Sequence, residues 1–399
     1  MRDETKDSKL FVLACWSMAS VGLVVGSLGP LLVPISDTFH LRLAHMGLPI
    51  VSHSTGFLGG NIFLASFWKI QRARPFLSLS SLVASLALVS ISLVHTPVLL
   101  LMILFFVGIS QGVLHTSLDC FFSEISGEER ARPLNWLHVF FGIGAILGPL
   151  LVGMLLAYSE RWNLVYLFIG LASFPPSVVF WKNRLYRDNP LSGSTLTLVS
   201  GDPNRPVASP FFWLAVGGTF LYVGLELSFG SWTPVFLIKI REVSVVSASW
   251  CISVFWLSMV GGRLLFGRFF HKTNLSLSLV VGSLAAALFT TLTFVLSYHS
   301  LLILFIALSG LSLSWFYPTM IALGANTFPK HIGFLTGTLA ASGTSGSILF
   351  PWLIGPLSEA LGLARSVFLV PLMGVGLAGI FSSYAFLLAR AKAEDRGSP

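Results

Sequence analysis

The sequence predicts an all-α membrane protein in which twelve transmembrane helices form two bundles of six, and three observations lead to that prediction. Of its 399 residues, 54% are hydrophobic and only 10% are charged, whereas soluble domains carry roughly 25% charged residues. Apolar runs of about 20 residues, the length that spans a bilayer, recur along the whole chain. The second half of the chain also repeats features of the first half at a constant offset. Together these observations exclude the soluble globular classes.

Twelve apolar segments account for most of the chain, and each is predicted to be one membrane-spanning helix. Their centres lie near residues 22, 56, 86, 111, 145, 172, 223, 258, 286, 313, 346 and 377. An even number of crossings places both termini on the same side of the membrane.

The basic residues indicate which side that is. The net charge of +8 does not point to nucleic acid, because Lys and Arg are scattered over short loops rather than gathered on one face. If both termini are cytoplasmic, 19 of the 24 basic residues fall inside, including Arg263 beyond the central loop. The outside set is Arg42, Arg161, Lys239, Arg241 and Arg365. This asymmetry predicts an integral plasma-membrane protein, in the inner membrane if bacterial, with cytoplasmic N- and C-termini.

The N-terminus and the cysteines add two further expectations. No small-residue cleavage site follows the first apolar run, so we expect that run to remain as the first helix. Cys15, Cys120 and Cys251 all lie in apolar runs, so no disulfide framework is expected.

The chain is predicted to divide at a polar stretch rich in Pro, Gly, Ser and Asn. Residues 1–182 form the N-terminal six-helix bundle, residues 183–209 a cytoplasmic linker, and residues 210–399 the C-terminal bundle with a short basic tail. An offset of 202 residues aligns four stretches of the two halves. The longest sets Gly144 to Gly153, which includes Pro149, against Gly346 to Gly355, which includes Pro351.

Four matches at one offset indicate a parallel six-plus-six repeat. In transporters built this way, a solute site lies between the two halves near the midplane, and rocking of the halves gives alternating access. Glycines four residues apart further predict that helix backbones approach closely. These pairs are Gly22 and Gly26, Gly108 and Gly112, and Gly144 and Gly148.

The fourth apolar segment carries the clearest polar pattern. Gln111, His115 and Asp119 are spaced by four, so on a helix they form one polar stripe. A carboxylate inside a bilayer costs on the order of 2.5 to 3.5 kcal/mol, so it is kept where it faces protein or water. The stripe is therefore predicted to line a path, with Asp119 as a coupling or structural carboxylate and His115 as a proton relay or a helix-to-helix hydrogen bond.

The seventh segment carries another deep carboxylate, Glu226. Such a group can load and release a proton, which makes Glu226 the first candidate for proton coupling. The alternative is a neutral carboxyl that holds two helices together. Tyr222 lies one turn earlier on the same face, within reach of the carboxyl or of a solute.

Amides, carboxylates and aromatic rings together are typical of sites for hydroxylated solutes, because polar groups bind hydroxyls while rings cover apolar C–H faces. On this reasoning the candidate solute-binding residues are Gln111, His115, His138, Tyr222, Trp232, Trp256, Trp315, Tyr317 and Asn61. Each ring alone also fits core packing or an interfacial belt. Glu124 is predicted to pair with Arg130 or Arg132 at the cytoplasmic end of segment four.

One enzyme motif occurs, and its context argues against it. Gly108 to Gly112 satisfies G-x-S-x-G around Ser110, which leaves an intramembrane serine hydrolase as a distant alternative. The strand-to-helix elbow that this motif needs is absent from the pattern. No Walker lysine motif, metal-spaced cysteine set or H-E-x-x-H is present, so neither a cofactor nor a metal is expected.

Several stretches resemble a known family of transporters. The run from Asn135 to Pro149, the run from Tyr222 to Trp232, and Phe316-Tyr-Pro-Thr are similar to the fucose permease-like, glucose-transporter-like branch of the major facilitator superfamily. The resemblance covers the whole chain and implies secondary-active transport, proton-coupled and of a sugar or similar polyol. Two features depart from the branch: segment one carries no carboxylate, and the loop after segment two lacks the expected Asp.

The sequence therefore predicts a monomeric proton-coupled symporter of a small hydroxylated solute. A proton-driven exporter of drugs or lipid-like amphiphiles is the alternative within transport, and the many Phe residues leave room for it.

Overall fold

The described part of the chain is all-helical. The computed structural model describes residues 4–68, 73–126, 131–182, 206–269, 274–296, 299–328 and 331–397, and in these residues no strand occurs. Apart from short 3-10 turns, the elements are α1 (Glu4–Phe39), α2 (Leu48–Phe67), α3 (Ala73–Ser90), α4 (Pro97–Ser126), α5 (Ala131–Tyr158), α6 (Asn163–Lys182), α7 (Pro210–Arg241), α8 (Val245–Phe269), α9 (Leu275–Val295), α10 (His299–Leu313), α11 (Phe316–Thr327), α12 (Ile332–Leu361), α13 (Leu363–Ser366) and α14 (Leu369–Gly397).

All twelve predicted segment centres fall in helices, and the tenth, residue 313, is the last residue of α10. Ten stretches in the described residues are long and apolar enough to cross a membrane, with α10 and α11 counted as one stretch. The helices α2 and α12 fall outside this set because they carry many Gly, Ser and Thr residues. The all-helical class is thus confirmed, while the count of twelve crossings stays a prediction.

The chain forms two compact units. The first comprises Met1–Thr195 and Ser231–Trp256, and the second comprises Leu196–Gly230 and Leu257–Pro399. Most of the predicted linker, residues 183–205, lies outside the described residues.

In the first unit, glycines allow two pairs of helices to touch backbone to backbone. A Cβ atom at Gly22 of α1 would collide with the Phe141 carbonyl of α5, and one at Gly144 of α5 would collide with the Ala19 carbonyl of α1. The glycines Gly56, Gly60, Gly108 and Gly112 do the same between α2 and α4. Close backbone approach at the glycines spaced by four is therefore confirmed.

The second unit uses related positions with one difference. A Cβ atom at Gly346 of α12 would collide with the Phe220 carbonyl of α7, as Gly144 does against α1. Gly224 of α7, however, faces the ring of Phe350 rather than backbone. The second unit therefore keeps the backbone contact at Gly346 but fills the space at Gly224 with an aromatic side chain.

The structure places Arg263 within a helix. It lies inside α8, six residues before that helix ends at Phe269. Arg263 is only partly exposed, and its Nε donates to the Ser314 carbonyl at 3.2 Å. Its side chain therefore contacts other groups of the second unit.

Candidate functional site

Two histidines flank Asp119 in the first unit. α4 is continuous through this region, so His115 and Asp119, four residues apart, share a face. His115 Nδ1 lies 3.3 Å from Asp119 Oδ2. From α5, His138 Nε2 lies 3.8 Å from Asp119 Oδ1, and the two imidazole rings are 5.6 Å apart. We call these three residues the His–Asp–His cluster.

The cluster is partly sheltered. The side chains of His115, Asp119 and His138 are 19%, 30% and 45% exposed, and the rings of Phe57 and Phe141 meet the His115 ring edge-on. The buried Asp119 Oδ1 makes no hydrogen bond to any described residue. This oxygen is therefore an acceptor that faces the imidazole donors of the cluster.

Gln111 has a different partner from the other two residues of the predicted stripe. Its side chain is 2% exposed, and its Oε1 lies 2.9 Å from His53 Nε2 of α2. Gln111 also lines a small cavity of about 10 Å³ in the first unit, which is roughly the volume that one water needs. The other polar side chains that line this cavity are Ser17, Ser20, Ser81 and Ser173.

Asn61 and Glu124 pair with neighbouring helices. The Thr116 hydroxyl donates to Asn61 Oδ1 at 2.9 Å, which joins α4 to α2. Glu124 Oε1 accepts from the indole nitrogen of Trp68 at 2.6 Å. The predicted pairing of Glu124 with Arg130 concerns a residue outside the described ranges, and the Arg132 side chain is likewise not described.

In the second unit, Glu226 is accompanied by a basic group. It lies in the middle of α7 with 8% exposure and interacts electrostatically with Arg263 of α8. Tyr222, one turn earlier, interacts with both charged groups. The Tyr222 hydroxyl is buried without a well-formed hydrogen bond among the described residues. Glu226, the first candidate for proton coupling, therefore has a basic group that acts on its carboxyl.

Trp315 and Tyr317 lie at a break between α10 and α11. Trp315 precedes the first residue of α11. Its indole nitrogen donates to the Ser278 carbonyl at 3.3 Å, and its ring stacks on Phe266 at 5.1 Å. Tyr317 is half-buried in the first turn of α11 and interacts with Arg263.

The remaining predicted residues are buried in helices. Trp232 of α7 is fully buried, and Trp256 of α8 is 5% exposed with its ring edge-on to Phe255. Pro149 lies inside α5, and Pro351 lies inside α12.

The serine of the G-x-S-x-G match forms a hydrogen bond within its own helix. Ser110 lies within the continuous α4, and its hydroxyl donates to the Phe106 carbonyl at 2.9 Å. No strand-to-helix elbow is present there. The described residues also contain no group of three or more His, Cys, Asp or Glu side chains that could hold a metal ion.

Arg263 is the residue that site prediction from sequence did not bring forward, whereas His53 was a weaker candidate beside Asn61. For Arg263 a signal existed, because the offset of 202 residues places it opposite Asn61, which was already a candidate. His53 could be paired with Gln111 only once the packing of α2 on α4 was known.

Polar and charged clusters held inside long apolar helices define the class of this protein, an integral membrane transporter. Residues 14–299, more than half of the chain, match the model of the Major Facilitator Superfamily. The chain therefore belongs to that superfamily of membrane transporters, as the resemblance predicted, and it is not an enzyme.

Similar proteins agree with this assignment. The chain is 26% identical over 396 residues to the glucose/mannose transporter GlcP of Bacillus subtilis (strain 168), with 94% of each protein covered. It is 24% identical over 362 residues to the TsgA homolog of Buchnera aphidicola, covering 89% of this chain and 91% of that protein.

Solved structures show the same fold. A bacterial homolog of the human lysosomal transporter Spinster, in an inward-facing and unoccupied conformation, matches with a TM-score of 0.78 at 16% identity over 98% of both chains. A mutant of the nucleoside transporter NupG matches with a TM-score of 0.75 at 13% identity, over 94% of this chain and 99% of that one.

Proposed function

We propose that this protein is a proton-coupled symporter of a sugar or similar small hydroxylated solute, with twelve crossings and cytoplasmic termini. The His–Asp–His cluster is the observation that carries the proposal. It places the imidazoles of His115 and His138 at 3.3 and 3.8 Å from the carboxylate oxygens of Asp119, inside helices that are largely apolar.

The cluster has two forms that differ by one proton, because an imidazole can be neutral or cationic. A proton on His115 or His138 forms an ion pair with Asp119 and removes the net negative charge of the site. An uncompensated carboxylate in the membrane is costly. During the transport cycle the solute site must close to water on both sides, and the protonated cluster is the form that can do so at lower cost.

Glu226 has a second place in this proposal. Arg263 interacts electrostatically with Glu226 and so offsets part of the cost of burying its negative charge. We propose that Asp119 and His115 carry the coupled proton together with Glu226, and that Glu226 acts through Arg263.

The sugar-like solute is proposed from two kinds of support. GlcP, the relative named above, is a glucose/mannose transporter. The chain itself carries half-exposed groups that suit hydroxyls and sugar faces, with His138 in the first unit and Trp315 and Tyr317 in the second. Polar groups beside aromatic faces are what such solutes require.

Proteoliposomes containing the purified protein test this proposal. With an inward proton gradient, we expect accumulation of labelled glucose or mannose above the outside concentration, and a protonophore should abolish it. Empty liposomes and an equal sodium gradient without a pH difference are the controls. Accumulation that follows the sodium gradient and ignores the proton gradient would contradict proton coupling, and efflux of lipophilic dyes without sugar uptake would favour an exporter.

A further inference from the structure

The break between α10 and α11 has a covalent cause. α10 ends at Leu313 and α11 begins at Phe316. Pro318 has no backbone N–H, so the carbonyl of Ser314, four residues earlier, lacks its helical donor. Arg263 supplies that donor from α8, since its Nε lies 3.2 Å from the Ser314 carbonyl oxygen. Because Ser314 is fully buried, its carbonyl would otherwise be costly to leave unpaired.

The same guanidinium also serves Glu226. Arg263 and Tyr222 are the charged and titratable groups that act on Glu226 among the described residues. Tyr317 joins Tyr222 and Glu226 among those that act on Arg263. A guanidinium has five N–H donors in a rigid fork, so one arginine can bond a carbonyl and face a carboxylate at once.

Aromatic contacts connect this pair to the residues at the break. Phe316, the first residue of α11, stacks on Tyr222 of α7 at 5.3 Å and nearly parallel, at 6°. Trp315 beside it stacks on Phe266 of α8 and bonds the Ser278 carbonyl of α9. A change in the position of Arg263 would therefore shift Ser314 and the neighbouring aromatic residues at the break.

We propose that Arg263 is a positioning residue that links the charge of Glu226 to the geometry of the α10–α11 break, and through it to Trp315 and Tyr317. This inference rests on the proposed function. While Glu226 is ionised, Arg263 is shared between the carboxylate and the Ser314 carbonyl. When Glu226 takes up a proton, the guanidinium loses that counter-charge and turns toward the carbonyl and Tyr317. Proton loading on α7 thereby alters the positions of the Trp315 and Tyr317 rings at the break.

Charge-reducing variants test the link. In proteoliposomes, sugar exchange without a gradient is measured from pH 5 to 8, and uphill accumulation is measured with a proton gradient. Arg263→Gln keeps a donor for Ser314 but removes the charge, so we expect exchange to fall at least about tenfold, because the buried Glu226 loses its partner. Arg365→Gln makes the same chemical change at an exposed position of α13 and should leave exchange unchanged.

The double variant separates coupling from simple damage. Glu226→Gln combined with Arg263→Gln removes both charges, so exchange should recover to within about threefold of Glu226→Gln alone, without uphill accumulation and with no pH dependence from this pair. If Arg263 were only a structural support for Ser314, the double variant would be at least as impaired as Arg263→Gln. Such impairment of the double variant would overturn the inference, and so would a pH profile of Arg263→Gln that overlies that of the wild type. Proton-driven uptake by the wild type would still uphold the proposed function in either case.

Thermal unfolding tests the interaction between Arg263 and Glu226 without a transport assay. The apparent Tm should fall more for Arg263→Gln than for the double variant, and equal falls would refute the pairing even if no sugar were moved. Arg263→Lys serves if the Gln variant does not fold. It keeps the charge without the fork, so the pH dependence should persist with weaker exchange, and a folded Lys variant that has lost its pH dependence would also refute the link.

Discussion

Two adjacent glycines of α2 provide a direct test of the helix packing. Gly59 and Gly60 share one helix and the same sequence surroundings, but a Cβ atom at Gly59 would meet nothing within 4 Å. At Gly60 it would lie 3.0 Å from Val113 N and closer still to the Ile109 carbonyl oxygen of α4. Carbon atoms in contact prefer about 3.5 to 4.0 Å, so α2 and α4 would have to separate by about 1 Å.

The expected effects on stability have opposite signs. Gly59→Ala should be neutral or stabilising by up to about 1 kcal/mol, because alanine is the better helix former. Gly60→Ala gains the same propensity but overpacks the helix contact, which costs about 1 to 3 kcal/mol. Apparent Tm in detergent at a fixed scan rate, read by near-UV circular dichroism, should therefore be lower by several degrees for Gly60→Ala than for Gly59→Ala. Equal Tm values would refute the backbone contact between α2 and α4.

Three further outcomes are expected. Asp119→Asn should flatten the pH dependence of uptake while sugar binding, measured by thermal shift, persists; an unchanged pH profile would return Asp119 to a structural role. Glu226→Gln should abolish uphill accumulation and leave exchange measurable, which uptake with and without a gradient decides. Lys239→Ala removes the 2.9 Å contact with Asp37, but both partners are exposed enough that the free energy of unfolding should fall by less than about 1 kcal/mol; a larger loss on denaturation would show a more extensive network.

Features that depend on local spacing could be predicted from the sequence. His115 and Asp119 were expected on one face because they are four residues apart, and α4 is indeed a single helix that brings them within 3.3 Å. Close approach at Gly22 and Gly144 followed in the same way, since small residues four apart leave a flat strip on a helix. In these cases one helix alone fixes the geometry.

Features that depend on which helices are neighbours could not be predicted. His138 was expected to reach a solute, yet its contact with Asp119 requires knowing where α5 lies against α4. Arg263 was counted only among the cytoplasmic charges, because its hydrogen bond to the Ser314 carbonyl, which Pro318 leaves without a helical donor, requires knowing where α8 lies against the α10–α11 break. One sequence signal did connect Arg263 to the site: the offset of 202 residues makes it the repeat equivalent of Asn61, a candidate residue.

Proton movement that accompanies solute entry is the most direct test of the account. A pH-sensitive dye sealed inside proteoliposomes, with no gradient imposed, reports protons that arrive when sugar is added outside. We predict internal acidification on addition of glucose or mannose to the wild type and none with Asp119→Asn. Sugar entry without acidification in the wild type, or equal acidification in the variant, would contradict coupling through the His–Asp–His cluster.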